Sequence, residues 1–259
     1  MRMSRFVVQS ACVLAMVCGG SAYAEKIRLV YSDVESELYQ LGNGTQIANP
    51  PGAAIEILNQ AAKEAGVEIE YVRLPVKRSF DEMQQGKVDG GFMYSFKEER
   101  LPFGQYPMKA GKPNPAYRMT TLTYSIYKLA GSAVNWDGKA FTGVGNGAVG
   151  FNSTYSVGSD LAKLNVRTEE AKTTEQNFQK LQTGRIVAYA MQDHTADLFI
   201  SEHKLTNIEK IPAPLSSKEY YLMLSNQFVQ KNPALAEKLW QKVGEVRDAK
   251  LKEILKKYM

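Results

Sequence analysis

Residues 83–95 read MQQGKVDGGFMYS, and residues 181–193 read LQTGRIVAYAMQD. Each stretch starts where apolar spacing puts the end of a helix. Each then passes through a glycine, a basic residue and a β-branched residue, and continues as a strand. Three of the 13 positions are identical (Gln84/Gln182, Gly86/Gly184, Met93/Met191), and four more are conservative. Upstream of the first stretch, residues 26–32 read as a strand. Residues 52–65 read as a helix, with Ile55, Leu58, Ala61, Ala62 and Ala65 on one face and Gly66 in the position that closes it. Residues 67–74 alternate with period 2, and residues 76–85 form a short helix closed by Gly86. The second stretch has the same lead-in. Residues 148–151 read as a strand, 154–164 as a helix and 165–169 as a weak strand. Residues 174–183 form a helix opened by the capping box Thr173-x-x-Gln176. Two β-α-β-α-β runs predict two similar α/β lobes, each with a mostly parallel sheet and crossover helices.

The remaining segments join the lobes. Residues 117–129 (YRMTTLTYSIYKL) read as one long strand with no helix behind it, and residues 208–211 and 219–225 as further strands. Residues 193–203 read as a helix. Asn232-Pro233 opens a last helix with an apolar stripe of Leu235, Leu239, Val243, Val246, Leu251, Ile254 and Tyr258. The expected organisation is a lobe of residues 25–121 plus 218–259 and a continuous lobe of residues 122–217.

The rest of the composition narrows the class. The chain has 259 residues, 44% hydrophobic and 23% charged. Arg2 and Arg5, an apolar run over residues 6–17 and the small-x-small Ala22-Tyr23-Ala24 read as a cleavable export signal over residues 1–24, which points to the periplasm. Cleavage removes Cys12 and Cys18, the only two cysteines, and takes two of the 32 basic residues, leaving 235 residues with charge +3. Such a chain has no disulfide and no thiolate, so its stability rests on its core. Lys250, Lys252, Lys256 and Lys257 read as a solvated helix face, and nucleic acid is not an expected partner. The only histidines, His194 and His203, have no metal-ligand spacing, and no cofactor or metal is expected. The match of Gly145-Asn146-Gly147-Ala148-Val149-Gly150 to G-x-G-x-x-G precedes a strand instead of opening a helix, and reads as a glycine-rich turn.

The repeated strands end at Ser95 and Asp193. Ligands in open α/β sheets sit beyond the carboxyl ends of strands, so these two ends are expected to face each other. Arg100, in Ser95-Phe96-Lys97-Glu98-Glu99-Arg100, offers a rigid fork of donors to a carboxylate, and Asp193 offers a carboxylate to an ammonium. A zwitterion held between them would join the lobes.

The mature chain resembles the family 3 extracellular solute-binding proteins, which have the type II periplasmic-binding-protein fold. Gln85-Gly86-Lys87-Val88-Asp89-Gly90, then Ser95 and Glu99-Arg100, is similar to that family's G-K-x-D … S/T-x-x-x-x-R pattern. Leu181-x-Thr183-Gly184-Arg185-Ile186-x-Ala188 … Gln192-Asp193 is similar to its second-lobe segment. The resemblance implies Arg100 on a ligand α-carboxylate, Asp193 on an α-ammonium, and Ser153 and Thr154 at a carboxylate-binding helix start. It adds Tyr94 and Ser95 at the strand end, and Tyr39 as the aromatic following the first strand. Leu74-Pro75-Val76-Lys77-Arg78 resembles an L-P-W-x-R variant with Val76 in place of Trp, which adds Arg78. Residues 103–116 are longer than the family's usual connection. The implied function is capture of a small polar, amino acid-like solute by a monomer that closes on it and presents it to a membrane ABC importer. A sensory module for a membrane receptor and a cyclohexadienyl dehydratase-like enzyme are the alternatives.

Overall fold

The computed structural model describes residues 25–258; the proposed export signal, with Cys12 and Cys18, lies outside the described residues. The chain opens as β1 (Glu25–Ser32), α1 (Ala53–Ala65), β2 (Val67–Leu74), α2 (Val76–Gln84) and β3 (Gly90–Ser95). β1 pairs in parallel with β2 over its whole length and with β3 at Leu29–Val30. α1 ends because Gly66 takes a left-handed turn at φ 83°, returning its N–H to the carbonyls of Ala62 and Lys63. A 3-10 turn (Glu98–Phe103) and a small ribbon, β4 (Met108–Lys109) with β5 (Lys112–Pro113), lead to the long strand β6 (Thr120–Leu129).

A second ribbon, β7 (Asn135–Trp136) with β8 (Phe141–Thr142), precedes the second run. It comprises β9 (Val149–Asn152), α3 (Val157–Lys163), β10 (Thr168–Ala171), α4 (Thr174–Gln182) and β11 (Ala188–Gln192). Then come α5 (Asp193–Glu202), β12 (Ile208–Lys210), β13 (Ser216–Leu224), α6 (Asn226–Lys231) and α7 (Pro233–Leu255). The nine main strands run in the order β10-β9-β11-β6-β13-β3-β1-β2, with β12 on β6. β6 and β13 belong to both halves. Thr120–Tyr124 pairs with Ser216–Tyr220; beyond that ladder β6 turns to β11 and β12, while β13 turns to β3.

Each half buries both faces of its sheet. In the first, Ile27, Leu29 and Phe92 pack under α1 and α7, and Val30, Met83 and Tyr221 fill the opposite face. In the second, Ile126, Val149 and Leu161 form one layer, and Phe178, Leu181 and Tyr189 the other. Each fully buried aliphatic or aromatic side chain contributes about 1.5–3 kcal/mol, so these layers carry the stability of the described residues, which contain no cysteine. The stripe read on α7 faces this core: Leu239, Val243, Val246 and Ile254 are buried, and the lysines at 250, 252, 256 and 257 are exposed.

Several boundaries differ from the sequence reading. The helix expected from residue 154 begins at Val157, because Thr154 sits in the left-handed region at φ 69°. The weak strand shifts from 165–169 to Thr168–Ala171, since Asn165, at φ 54°, is still completing the exit from α3. Gly145-Asn146 forms a turn ahead of β9, and Thr173 and Gln176 make the full capping box. The two ribbons and α6 carried too little periodic signal to be read.

Candidate functional site

Between the halves lies a cavity of about 50 Å³. Met93, Tyr94 and Ser95 of β3 line it, with Ser32, Ser36 and Gln40 from the segment after β1. The second half faces them with Thr154, Tyr155 and Ser156, and Tyr124, Gln192 and Tyr220 close the floor where β6 and β13 cross over. Arg100 enters from the 3-10 turn and is the one charged group among the described residues that line the space.

A β-bulge aims the end of β3. Tyr94 pairs with Tyr221 and Phe92 with Leu222, leaving Met93 as the extra residue at φ 61°. Regular alternation would put Phe92 and Tyr94 on one face. The bulge separates them: Phe92 packs in the α1–α7 core, and Tyr94 belongs to the opposite layer beside α2. The left-handed Met93 costs about 1–3 kcal/mol, which the pairing on both sides offsets.

Arg100 is held by neutral oxygens only. Its Nη1 donates to the Ser95 carbonyl at 2.6 Å and to Ser95 Oγ at 3.4 Å, and its Nη2 reaches across the gap to the Thr154 carbonyl at 3.3 Å. The guanidinium lies over the rings of Phe80 and Tyr94, 5.3 and 5.8 Å from their centroids. The Ser95 carbonyl also accepts from Tyr106 Oη at 2.9 Å, and Ser95 Oγ donates to Ser156 Oγ at 2.9 Å in the other half. Burial pushes the Tyr94 and Tyr106 phenols up to about 12, so both remain protonated donors at neutral pH. A cation desolvated this far with no carboxylate among its partners is poised to take its counter-charge from a ligand.

Four of the residues expected from the sequence meet here: Arg100, Ser95, Tyr94 and Thr154 all line the cavity. The other four lie outside its lining. Asp193 is the first residue of α5, and its Oδ1 accepts the His194 N–H at 2.8 Å; the preceding Gln192 takes its place at the cavity. Ser153 uses its N–H on the Ala171 carbonyl. Tyr39 is buried, with its hydroxyl 2.9 Å from Thr120 Oγ1 and its ring edge-on to His194. Arg78 is exposed and pairs with Glu82 at 3.1 Å. Among the described residues no group of three or more His, Cys, Asp or Glu could hold a metal ion.

Sequence reasoning missed Tyr106, Gln192, Ser156 and Gln40. Tyr106 lies in the insert at residues 103–116, which the Gln105–Leu224 bridge ties to β13. A second contact between the halves was also missed: Glu37, after β1, meets His194 and Thr195 at the start of α5. Burial raises the Glu37 carboxyl to about 7 and lowers the His194 imidazole to about 4.

No protein family matches the chain by sequence, and no curated protein does. Solved structures match it in three dimensions. An ancestral arginine-binding protein bound to glutamine is similar at 16% identity over 92% of this chain and 99% of the other, with a TM-score of 0.68. The GluR0 ligand-binding core from Nostoc punctiforme, in complex with L-glutamate, is similar at 14% identity over 90% and 99%, with a TM-score of 0.69. ArtJ, an arginine-, lysine-, histidine-binding protein from Geobacillus stearothermophilus, is similar at 18% identity over 91% and 95%, with a TM-score of 0.70. With its sheet order and shared strands, the chain has the two-lobed type II periplasmic-binding-protein fold.

Proposed function

We propose that this chain is a divergent member of the family 3 solute-binding proteins, exported to the periplasm, and that it captures a small polar solute bearing a carboxylate. The observation that carries the reading is Arg100: buried, the one charge lining the cleft among the described residues, and hydrogen-bonded there only to neutral oxygens on both sides of the gap. The lobes are residues 25–121 with 218–259, and residues 122–217, hinged where β6 and β13 cross. A cavity of about 50 Å³ holds only a few waters, so a solute enters by parting the lobes. Contacts from both lobes then favour the shut form, the state a membrane partner would recognise. An ABC importer is the partner supported by the likeness to the substrate-binding protein of an amino acid ABC transporter; the likeness to the GluR0 core supports a receptor as the second reading.

Thermal-shift and calorimetric titration of residues 25–259 against small carboxylates tests this. A binder at a hundredfold excess over Kd should gain about 2.7 kcal/mol of stability, and Arg100→Ala should abolish the gain. Binding that survives Arg100→Ala rejects the site.

A further inference from the structure

The charge inventory of the cleft reaches further than the presence of a ligand carboxylate. Arg100 supplies one positive charge, and no carboxylate lines the space among the described residues. The acids that flank it are engaged elsewhere. Asp160 pairs with Lys218 and accepts from Ser216, Asp33 pairs with Lys172, Asp193 accepts the His194 N–H, and Glu37 meets Thr195 and His194 with its carboxyl pushed up to about 7 by burial. A ligand ammonium drawn into this space would lose its hydration without meeting an opposite charge, the most unfavourable way to bury an ion.

Among the described residues, Gln192 Oε1 and Gln40 Nε2, on two side chains that line the cavity, are buried without a hydrogen-bond partner. Gln192 is 3% exposed, and its amide is oriented by Nε2, which donates to Tyr220 Oη at 2.8 Å and to Tyr124 Oη at 3.3 Å. That leaves Oε1 as an acceptor. Gln40, also 3% exposed, leaves Nε2 as a donor. Buried polar groups of this kind need partners. A neutral hydroxyl, which both donates and accepts, suits these amide groups, whereas an ammonium can only donate.

Resting on the solute-binding reading, we propose that the cleft takes a small hydroxy-carboxylate, an anion with neutral hydroxyl groups and no ammonium, and that Gln192 sets this preference. Arg100 holds the carboxylate while the amides of Gln192 and Gln40 address the hydroxyl. Asp193 has no part in ligand recognition.

The test is calorimetric titration of residues 25–259 with matched pairs: glycolate and glycine, L-lactate and L-alanine, 3-hydroxybutyrate and 3-aminobutyrate. The expected result is that the hydroxy acid of at least one pair binds, at least tenfold more tightly than its amino partner. Asp193→Asn should leave that affinity within twofold, and Gln192→Glu should reverse the preference within the pair. An amino acid that binds as tightly as its hydroxy partner, or tighter, overturns this inference and leaves the solute-binding reading standing. If no member of any pair binds, the solute-binding reading for small carboxylates falls with it. A tenfold loss on Asp193→Asn would return recognition to the aspartate.

Discussion

The two lobes are built on one plan and end in different chemistry. Gly86 and Gly184 both take the left-handed turn, at φ 66° and 71°, and Val88 and Ile186 are both buried behind them. At the strand ends the likeness stops. β3 carries a bulge, a serine whose carbonyl anchors Arg100, and a buttress from Tyr106; β11 runs without a bulge into a neutral glutamine. On the proposed reading, a shared backbone plan tells where a ligand sits, while the local departures decide what charge it must carry.

The sharpest way to break this comparison is to remove the one charge. Arg100→Ala should weaken ligand binding at least a hundredfold, about 2.7 kcal/mol, while Asp193→Ala changes it by less than twofold; calorimetry on both variants decides. Equal losses would mean that the lobes contribute symmetrically. Next in size is the glycine of β3 that faces Tyr189 in the repeat. A Cβ at Gly91 would lie 2.7 Å from the Tyr94 ring and 2.9 Å from the Val30 carbonyl. Gly91→Ala should cost about 1–3 kcal/mol of unfolding free energy, and unchanged urea midpoints would show that β3 tolerates what β11 does.

Tyr106→Phe removes one hydrogen bond from the Ser95 carbonyl. It should lower affinity about fivefold, about 1 kcal/mol, without loss of fold. The paired glycines test the likeness itself: Gly86→Ala and Gly184→Ala should each cost about 1 kcal/mol, and a large inequality would argue against a common plan.

The smallest effect concerns pH and the Glu37–His194 contact. Glu37 keeps its proton in the folded protein up to about 7, against 4.5 ordinarily, so its contribution is full below 4.5 and is lost as pH rises to 7. His194 stays neutral down to about 4, against 6.5, so its contribution is full above 6.5 and is lost as pH falls to 4. The slopes oppose each other between 4.5 and 6.5, with Glu35, Glu202, Asp193 and Asp197 as the charged neighbours. Denaturation across pH should give a shallow profile for the parent protein, a rising one for Glu37→Gln, and a falling one for His194→Gln. Flat profiles for both variants would remove the contact as a pH-sensitive element.

What could be read beforehand was local or repeated. Gly66, Gly86, the Thr173–Gln176 box and the α7 stripe are each set by a few neighbouring residues, and each forms as expected. Arg100 and Ser95 were legible because they lie five residues apart at the end of one strand. Gln192 was not, although it stood in the quoted stretch: β11 stops one residue before Asp193, and that single step sends the aspartate into α5. Met93 and Tyr106 depend on pairing with β13, more than a hundred residues away, which no spacing rule encodes.

The proposed hinge has a mechanical consequence. Two strands that are each hydrogen-bonded into both lobes constrain how the lobes can turn more tightly than loops would. Tyr124, Tyr220 and Gln192 lie at the ends of the ladder that β6 and β13 share, joined through their hydroxyls and amide. Under the proposed reading, a solute that engages Gln192 touches the strands that both lobes share.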